Sequence, residues 1–213
     1  MPAAIESEKL FIDGPAGKLE AILESPGDVT EPAAVAVVCH PHPQHLGTML
    51  NKVAHTLARS FVQLGAPALR FNFRGVGRSE GEFANAIGET DDALAALDFI
   101  HARWPNARLW LGGFSFGAQV SLSAVQQRDI EWLVTVAPPV ERMKLDDFAM
   151  PDCRWLLVQG GADEVVDPEG VSSWAKSLQP APEFEWLDGV GHFFHGNLTA
   201  LREIILRHAP GAR

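Results

Sequence analysis

Six short apolar runs, "AVAVVCH", "APALRFNF", "RLWLGGF", "EWLVTVA", "RWLLVQG" and "EFEWLDG", recur between Ala34 and Gly189, with longer stretches of helical period between most of them. Runs this apolar have to bury both faces, which a sheet allows only when helices cover it on either side. The alternation therefore predicts an α/β fold: a mostly parallel, twisted sheet with crossover helices on both faces. Ahead of these runs, "KLFIDG" and "KLEAILES" read as an antiparallel hairpin.

The helical segments carry their own punctuation. "GTMLNKVAHTLARSFVQLG" spaces Met49, Val53, Leu57, Phe61 and Leu64 at helical intervals and stops at Gly65. "TDDALAALDFIHARW" opens on Thr90, Asp91 and Asp92, which suit a helix N-terminus, and stops before Pro105. Further helices are expected near Gly117, Pro168 and Asn197. No repeat or low-complexity linker interrupts the pattern, and 46% of the 213 residues are hydrophobic, so residues 1–213 read as a single domain. Only "PPVERMKLDDFAMPDC" joins the run ending at Ala137 to that beginning at Arg154, which leaves room for one short helix and no large lid.

A net charge of -10, with no run of Lys or Arg, argues against nucleic acid or an anionic membrane surface as partner, since either needs a basic face. "MPAAIESEKLFIDG" lacks the basic region and apolar stretch of an export signal, so a cytoplasmic location is the default expectation. Cys39 and Cys153 have neither metal-finger nor redox spacing and read as buried free thiols.

The chemistry gathers at the ends of the apolar runs. Gly113-Phe114-Ser115-Phe116-Gly117 satisfies G-x-S-x-G between a strand-like and a helix-like segment, the context in which a sharp turn lifts a serine hydroxyl clear of a sheet edge. Ser115 is the candidate nucleophile. A serine hydroxyl needs a general base, and the base needs an acid to orient it. "LLVQGGADEVVDP" supplies Asp163 and Asp167 after one strand, and "WLDGVGHFFHG" supplies His192 and His195 after the next. All lie where open α/β sheets assemble their sites, at the carboxyl ends of strands.

Together these motifs resemble the α/β-hydrolase fold, whose order of serine, acid and histidine falls on Ser115, Asp163 and His192. "HPHP", "FNFRGVGRSEG", "GFSFG", "GGADEVVDP" and "GHFFHG" are similar, more narrowly, to a small lidless branch related to dienelactone hydrolases and short carboxylesterases. Ser115 stands where dienelactone hydrolases use cysteine, so their lactone substrate does not carry over. Asp163 matches the family's acid position, whereas Asp167 precedes Pro168 and is placed to cap a helix. His192 follows Gly191 in a turn, and His195 lies nearer the last helix, as a pocket-margin or surface residue. Phe114, Phe116, Phe193 and Phe194 read equally as acyl-pocket walls or as core.

"FNFRGVGRSEGEF" departs from the dinucleotide fingerprint and reads as a glycine turn in which Arg74 pairs with Asp91 or Asp92; contact of Arg74 or Arg78 with an anionic substrate is the lesser alternative. The histidines of "CHPHPQHLGT" pose a sharper choice. An extended, proline-restrained segment points His40 and His42 to one side, as a metal pair would require, but no aspartate precedes His45 as in H-x-H-x-D-H metallohydrolases. The resemblance instead makes this loop one source of the oxyanion hole. Pro41 and Pro43 have no N–H to donate, and aligning His40 with the family's loop histidine gives the donor as the His42 amide, with Phe116 supplying the second. His40 would brace the loop, and His45 would lie at the rim.

The expectation is a serine hydrolase that cleaves carboxylic esters, or thioesters, of small molecules, with water as second substrate and neither metal nor cofactor. The alternatives are a serine peptidase or amidase, and a noncatalytic binding protein of the same fold. Nothing in the sequence decides the oligomeric state.

Overall fold

In the computed structural model, which describes residues 4–27, 29–143 and 148–211, the apolar runs become neighbours in one eight-stranded sheet. The strands are β1 (Ile5–Gly14), β2 (Gly17–Pro26), β3 (Ala34–Cys39), β4 (Ala68–Phe71), β5 (Arg108–Phe114), β6 (Trp132–Val136), β7 (Arg154–Gly160) and β8 (Glu183–Leu187). Their spatial order is β1-β2-β4-β3-β5-β6-β7-β8. β1 and β2 form the N-terminal hairpin, β2 runs antiparallel to β4, and every later pairing is parallel.

Strand alternation divides the core in two. Val35, Val37 and Cys39 of β3 face one way with Leu111 of β5 and Leu133 of β6; Ala36 and Val38 face the other with Phe114 and Val134. Helices α2 (Ile87–Arg103), α3 (Phe116–Ala124) and α4 (Pro168–Ser177) cover the first layer, and α1 (Lys52–Gln63) and α5 (Leu198–Arg207) the second. α1 carries its apolar residues on one stripe, with Val53, Leu57 and Phe61 buried, and Asn51 caps it by accepting from the Val53 and Ala54 amides at 2.9 and 3.3 Å. Both cysteines are free; burial pushes the Cys39 thiol up to about 12. No helix among the described residues is long and apolar enough to cross a membrane.

Three expectations need correction. β8 is not buried on both faces: as the last strand it is half-buried at every position, and its glutamates pair with Arg154 and Arg207. α2 begins at Ile87 rather than Thr90, because the Glu89 carboxylate accepts from the Ala84 and Ala86 amides, both at 2.8 Å, and satisfies donors one turn earlier. Asp92 is thereby drawn inside the helix, where it is fully buried and receives Arg74 through both guanidinium Nε and Nη2. His40 and His42 do not share one environment as a metal pair would: the chain bends at Pro41 between them, and His40 is fully buried while His42, the cap of a short 3-10 turn at Pro43–His45, is half-buried. Between β6 and β7 the described residues hold a single 3-10 turn, Val140–Arg142; residues 144–147 of that connection lie outside the described residues.

Candidate active site

β5 delivers Ser115 into a turn that few residues tolerate. Ser115 has φ 54 and ψ -119, a left-handed conformation costing about 1–3 kcal/mol for a residue with a side chain. It is held there because its N–H donates to Val136 O at 2.9 Å, while its carbonyl accepts from Ala118 and Gln119 at 2.8 and 3.2 Å. The flanking glycines are required by space. A Cβ on Gly113 would lie 2.2 Å from Gly117 O, and one on Gly117 would lie 2.2 Å from Cys39 O. The turn is therefore wedged between β6 and the end of β3, and it presents the Ser115 hydroxyl at the head of α3.

The two loops after β7 and β8 meet this hydroxyl. His192 Nε2 lies 3.1 Å from Ser115 Oγ, and His192 Nδ1 lies 2.8 Å from Asp163 Oδ2. With Asp163 as acceptor, Nδ1 carries the proton and Nε2 is left to accept from the serine. Asp163 Oδ1 accepts from the Val165 and Val166 amides at 2.9 and 2.8 Å, and Gln159 Nε2 donates to Oδ2 at 3.0 Å. Burial pushes the Asp163 carboxyl up, but the bonds from His192, Val166 and Val165 outweigh it and hold the group below the usual carboxylate range. Glu164 fixes the loop from behind by accepting from the His192 amide at 3.1 Å.

The discarded members of each pair are elsewhere. Asp167 caps α4 by accepting from the Glu169 amide at 3.2 Å, and His195 is exposed beyond Phe193. The four phenylalanines divide evenly: Phe116 and Phe193 line the cleft over Ser115, and Phe114 and Phe194 are fully buried in the core.

The histidine loop packs beside the serine turn. His40 is fully buried; its Nδ1 donates to Pro41 O at 2.6 Å, its Nε2 accepts from the Phe73 amide at 3.1 Å, and its ring packs on Phe73. Burial holds this imidazole down to about 4, so it is a neutral brace between the ends of β3 and β4. His42 is half-buried in the cleft, with its ring 4.8 Å from that of Phe116 and 5.1 Å from that of Phe83. Among the described residues, neither the His42 nor the Phe116 amide donates to another protein group. His45 is exposed at the rim, and among the described residues no three or more His, Cys, Asp or Glu side chains gather as a metal site would require.

Ser115, Phe116, His42 and His192 open into one cleft of about 670 Å³. Its walls also include Phe83, Asn51, Gln119 and Arg142, none of which the sequence motifs point to, because they come from four separate connections and helices. Arg74 and Arg78 do not line it: Arg74 is spent on Asp92, and Arg78 lies over the Phe11 ring at 4.8 Å.

The chain belongs to the α/β serine hydrolases: the family model "Serine aminopeptidase, S33" matches residues 30–150. An α/β serine hydrolase homologue from Coxiella burnetii superposes with a TM-score of 0.90 at 40% identity, covering 95% of this chain and 97% of the other. An α/β serine hydrolase without lid from Xanthomonas campestris gives a TM-score of 0.90 at 40% identity over 95% of this chain and 93% of its own. The fold is accordingly that of a lidless α/β-hydrolase. An uncharacterised protein of Rickettsia prowazekii is 35% identical over 197 residues, 87% of this chain and 82% of the relative. Esterases at lower identity share the fold alone, among them Est1E from Butyrivibrio proteoclasticus, known with ferulic acid bound, at 19% identity and a TM-score of 0.78.

Proposed function

We propose that this chain hydrolyses carboxylic esters of small molecules, thioesters included, through an acyl-enzyme on Ser115. The observation that carries the reading is the hydrogen-bonded series Asp163, His192 and Ser115, closed to solvent behind and open to one cleft in front. His192 Nε2 takes the Ser115 proton as Oγ attacks the ester carbonyl, and the carbonyl oxygen becomes the tetrahedral oxyanion. The amides of His42 and Phe116 are the donors this reading assigns to it; one such donor is typically worth about 3–4 kcal/mol of barrier. The imidazolium, stabilised by Asp163, returns its proton to the leaving oxygen. Water activated by His192 then releases the acid.

Apolar walls at Phe83, Phe116 and Phe193, continued at the mouth by Val165 and Leu46, suit an alkyl or aryl group on the substrate. Est1E, which binds the aryl acid ferulic acid, shows one way this fold is used. The reading takes residues 1–213 as one domain acting in the cytoplasm without metal or cofactor. A fluorophosphonate probe tests it: labelling of the wild type that disappears in Ser115→Ala is expected, and a folded wild type that stays unlabelled refutes it. Peptidase action is separated by turnover of aminoacyl anilides in place of esters.

A further inference from the structure

Among the described residues, most of the arginines reach a carboxylate on a different element, as Arg74, Arg128 and Arg154 do at 2.6–2.8 Å. Arg142 does not. Among the described residues, its only carboxylate neighbour is Glu141, the preceding residue, at 3.6 Å, and its side chain keeps 56% of its exposure. Its backbone is nonetheless well anchored. Val140 is buried, Met143 packs on the core below α4, and the turn is closed by Arg142 N donating to Pro139 O at 2.9 Å and Met143 N to Val140 O at 3.2 Å. Arg142, on an anchored turn, thus lines the cleft that holds Ser115 and His192. Its charge is felt across the opening, where burial first, then His45 and Arg142, hold the His42 imidazole below the usual histidine range.

A cation kept at the reaction cleft of a chain with net charge -10 asks for an anion to meet it, since the overall field opposes anionic substrates. We propose that Arg142 is a specificity-determining residue that receives a carboxylate carried by the ester substrate. The inference rests on the hydrolase reading above. A planar guanidinium suits a carboxylate through two parallel N–H donors, and Gln119, which lines the same cleft, carries an amide donor.

The test compares three esters: 4-nitrophenyl butyrate, which is neutral; mono-4-nitrophenyl succinate, with the carboxylate on the acyl side; and 4-carboxyphenyl butyrate, with it on the alcohol side. The readout is kcat/KM for each anionic ester divided by that for the neutral one. For one of the two anionic esters, this ratio should fall about tenfold in Arg142→Gln, fall further in Arg142→Glu, and be only partly restored in Arg142→Lys, which returns the charge but not the paired donors. High salt should lower it in the wild type and not in Arg142→Gln, where only the repulsive overall field is left to screen. Which anionic ester responds tells whether the carboxylate sits on the acid or the alcohol part. Equal ratios in the wild type, Arg142→Gln and Arg142→Glu overturn the inference while turnover of the neutral ester preserves the hydrolase reading. Absence of turnover on all three overturns both.

Discussion

Gly117 allows the steric account of the serine turn to be tested with one methyl group. In Gly117→Ala the new Cβ would lie 2.2 Å from the Cys39 carbonyl oxygen, 2.6 Å from its carbon and 2.6 Å from His40 O. None of these atoms is the tip of a flexible side chain, so α3 and the β3 loop must separate by roughly 1 Å to reach van der Waals contact. Overpacking of this kind costs about 1–3 kcal/mol, against which the better helix propensity of alanine returns up to about 1 kcal/mol. The kinetic effect should be larger, because the same separation moves the Phe116 amide away from that of His42, and a 1 Å error in preorganised groups costs about 100-fold. The expected result is a kcat/KM for 4-nitrophenyl butyrate about 100-fold below wild type, with a urea midpoint modestly lowered and fluorophosphonate labelling slowed but complete. A variant with wild-type kcat and unchanged or raised stability would show that this contact yields freely, and that it is not what sets the spacing of the amides proposed as oxyanion donors.

Two further outcomes follow from buried charge. His40 in the folded protein is held down to about 4, against an ordinary 6.5, so below pH 6.5 the unfolded chain binds a proton there that the folded one excludes. Its contribution to stability is therefore whole above pH 6.5 and is lost as the pH falls toward 4, at up to about 1.4 kcal/mol per pH unit. Urea unfolding between pH 7 and pH 4.5 should show a steeper acid loss in the wild type than in His40→Asn, and parallel curves would contradict this. Arg74→Met leaves the fully buried Asp92 carboxylate without its partner and should cost about 3–5 kcal/mol, with part recovered on adding Asp92→Asn. A loss below about 1 kcal/mol in denaturant titration would mean that Asp92 escapes burial once Arg74 is gone.

Much of this site was legible because its signals are local. G-x-S-x-G reads as a strand-to-helix turn from its neighbours alone, and the choice of Asp163 over Asp167 follows from Pro168, which marks Asp167 as a helix cap. Where the sequence misleads, a stronger partner takes over. Thr90, Asp91 and Asp92 look like the N-terminus of α2, but the Glu89 carboxylate already accepts from Ala84 and Ala86 one turn earlier, and Asp92 is taken up by Arg74, 18 residues before it. His40 and His42 read as a pair because the bend at Pro41 between them has no sequence signal beyond the proline itself. Arg142, Phe83 and Gln119 carry no motif, since a cleft wall is assembled from segments that share only a place in space.

The sequence by itself determined the kind of layers this chain forms and the strand ends from which its reactive groups emerge, because periodicity and turn chemistry act within a few residues. It also supplied the candidate nucleophile, base and acid in a recognisable order. Only the tertiary structure decided that Asp163, His192 and Ser115 come within hydrogen-bonding distance, that His40 lies fully buried as a neutral brace while His42 faces the cleft, and that Arg142 stands over it. Those outcomes depend on the parallel pairing of β3, β5, β6, β7 and β8, which brings loops as distant in sequence as those of His42 and His192 to one edge of the sheet. Burial and desolvation then act on each group according to its neighbours in space, which no window along the chain contains.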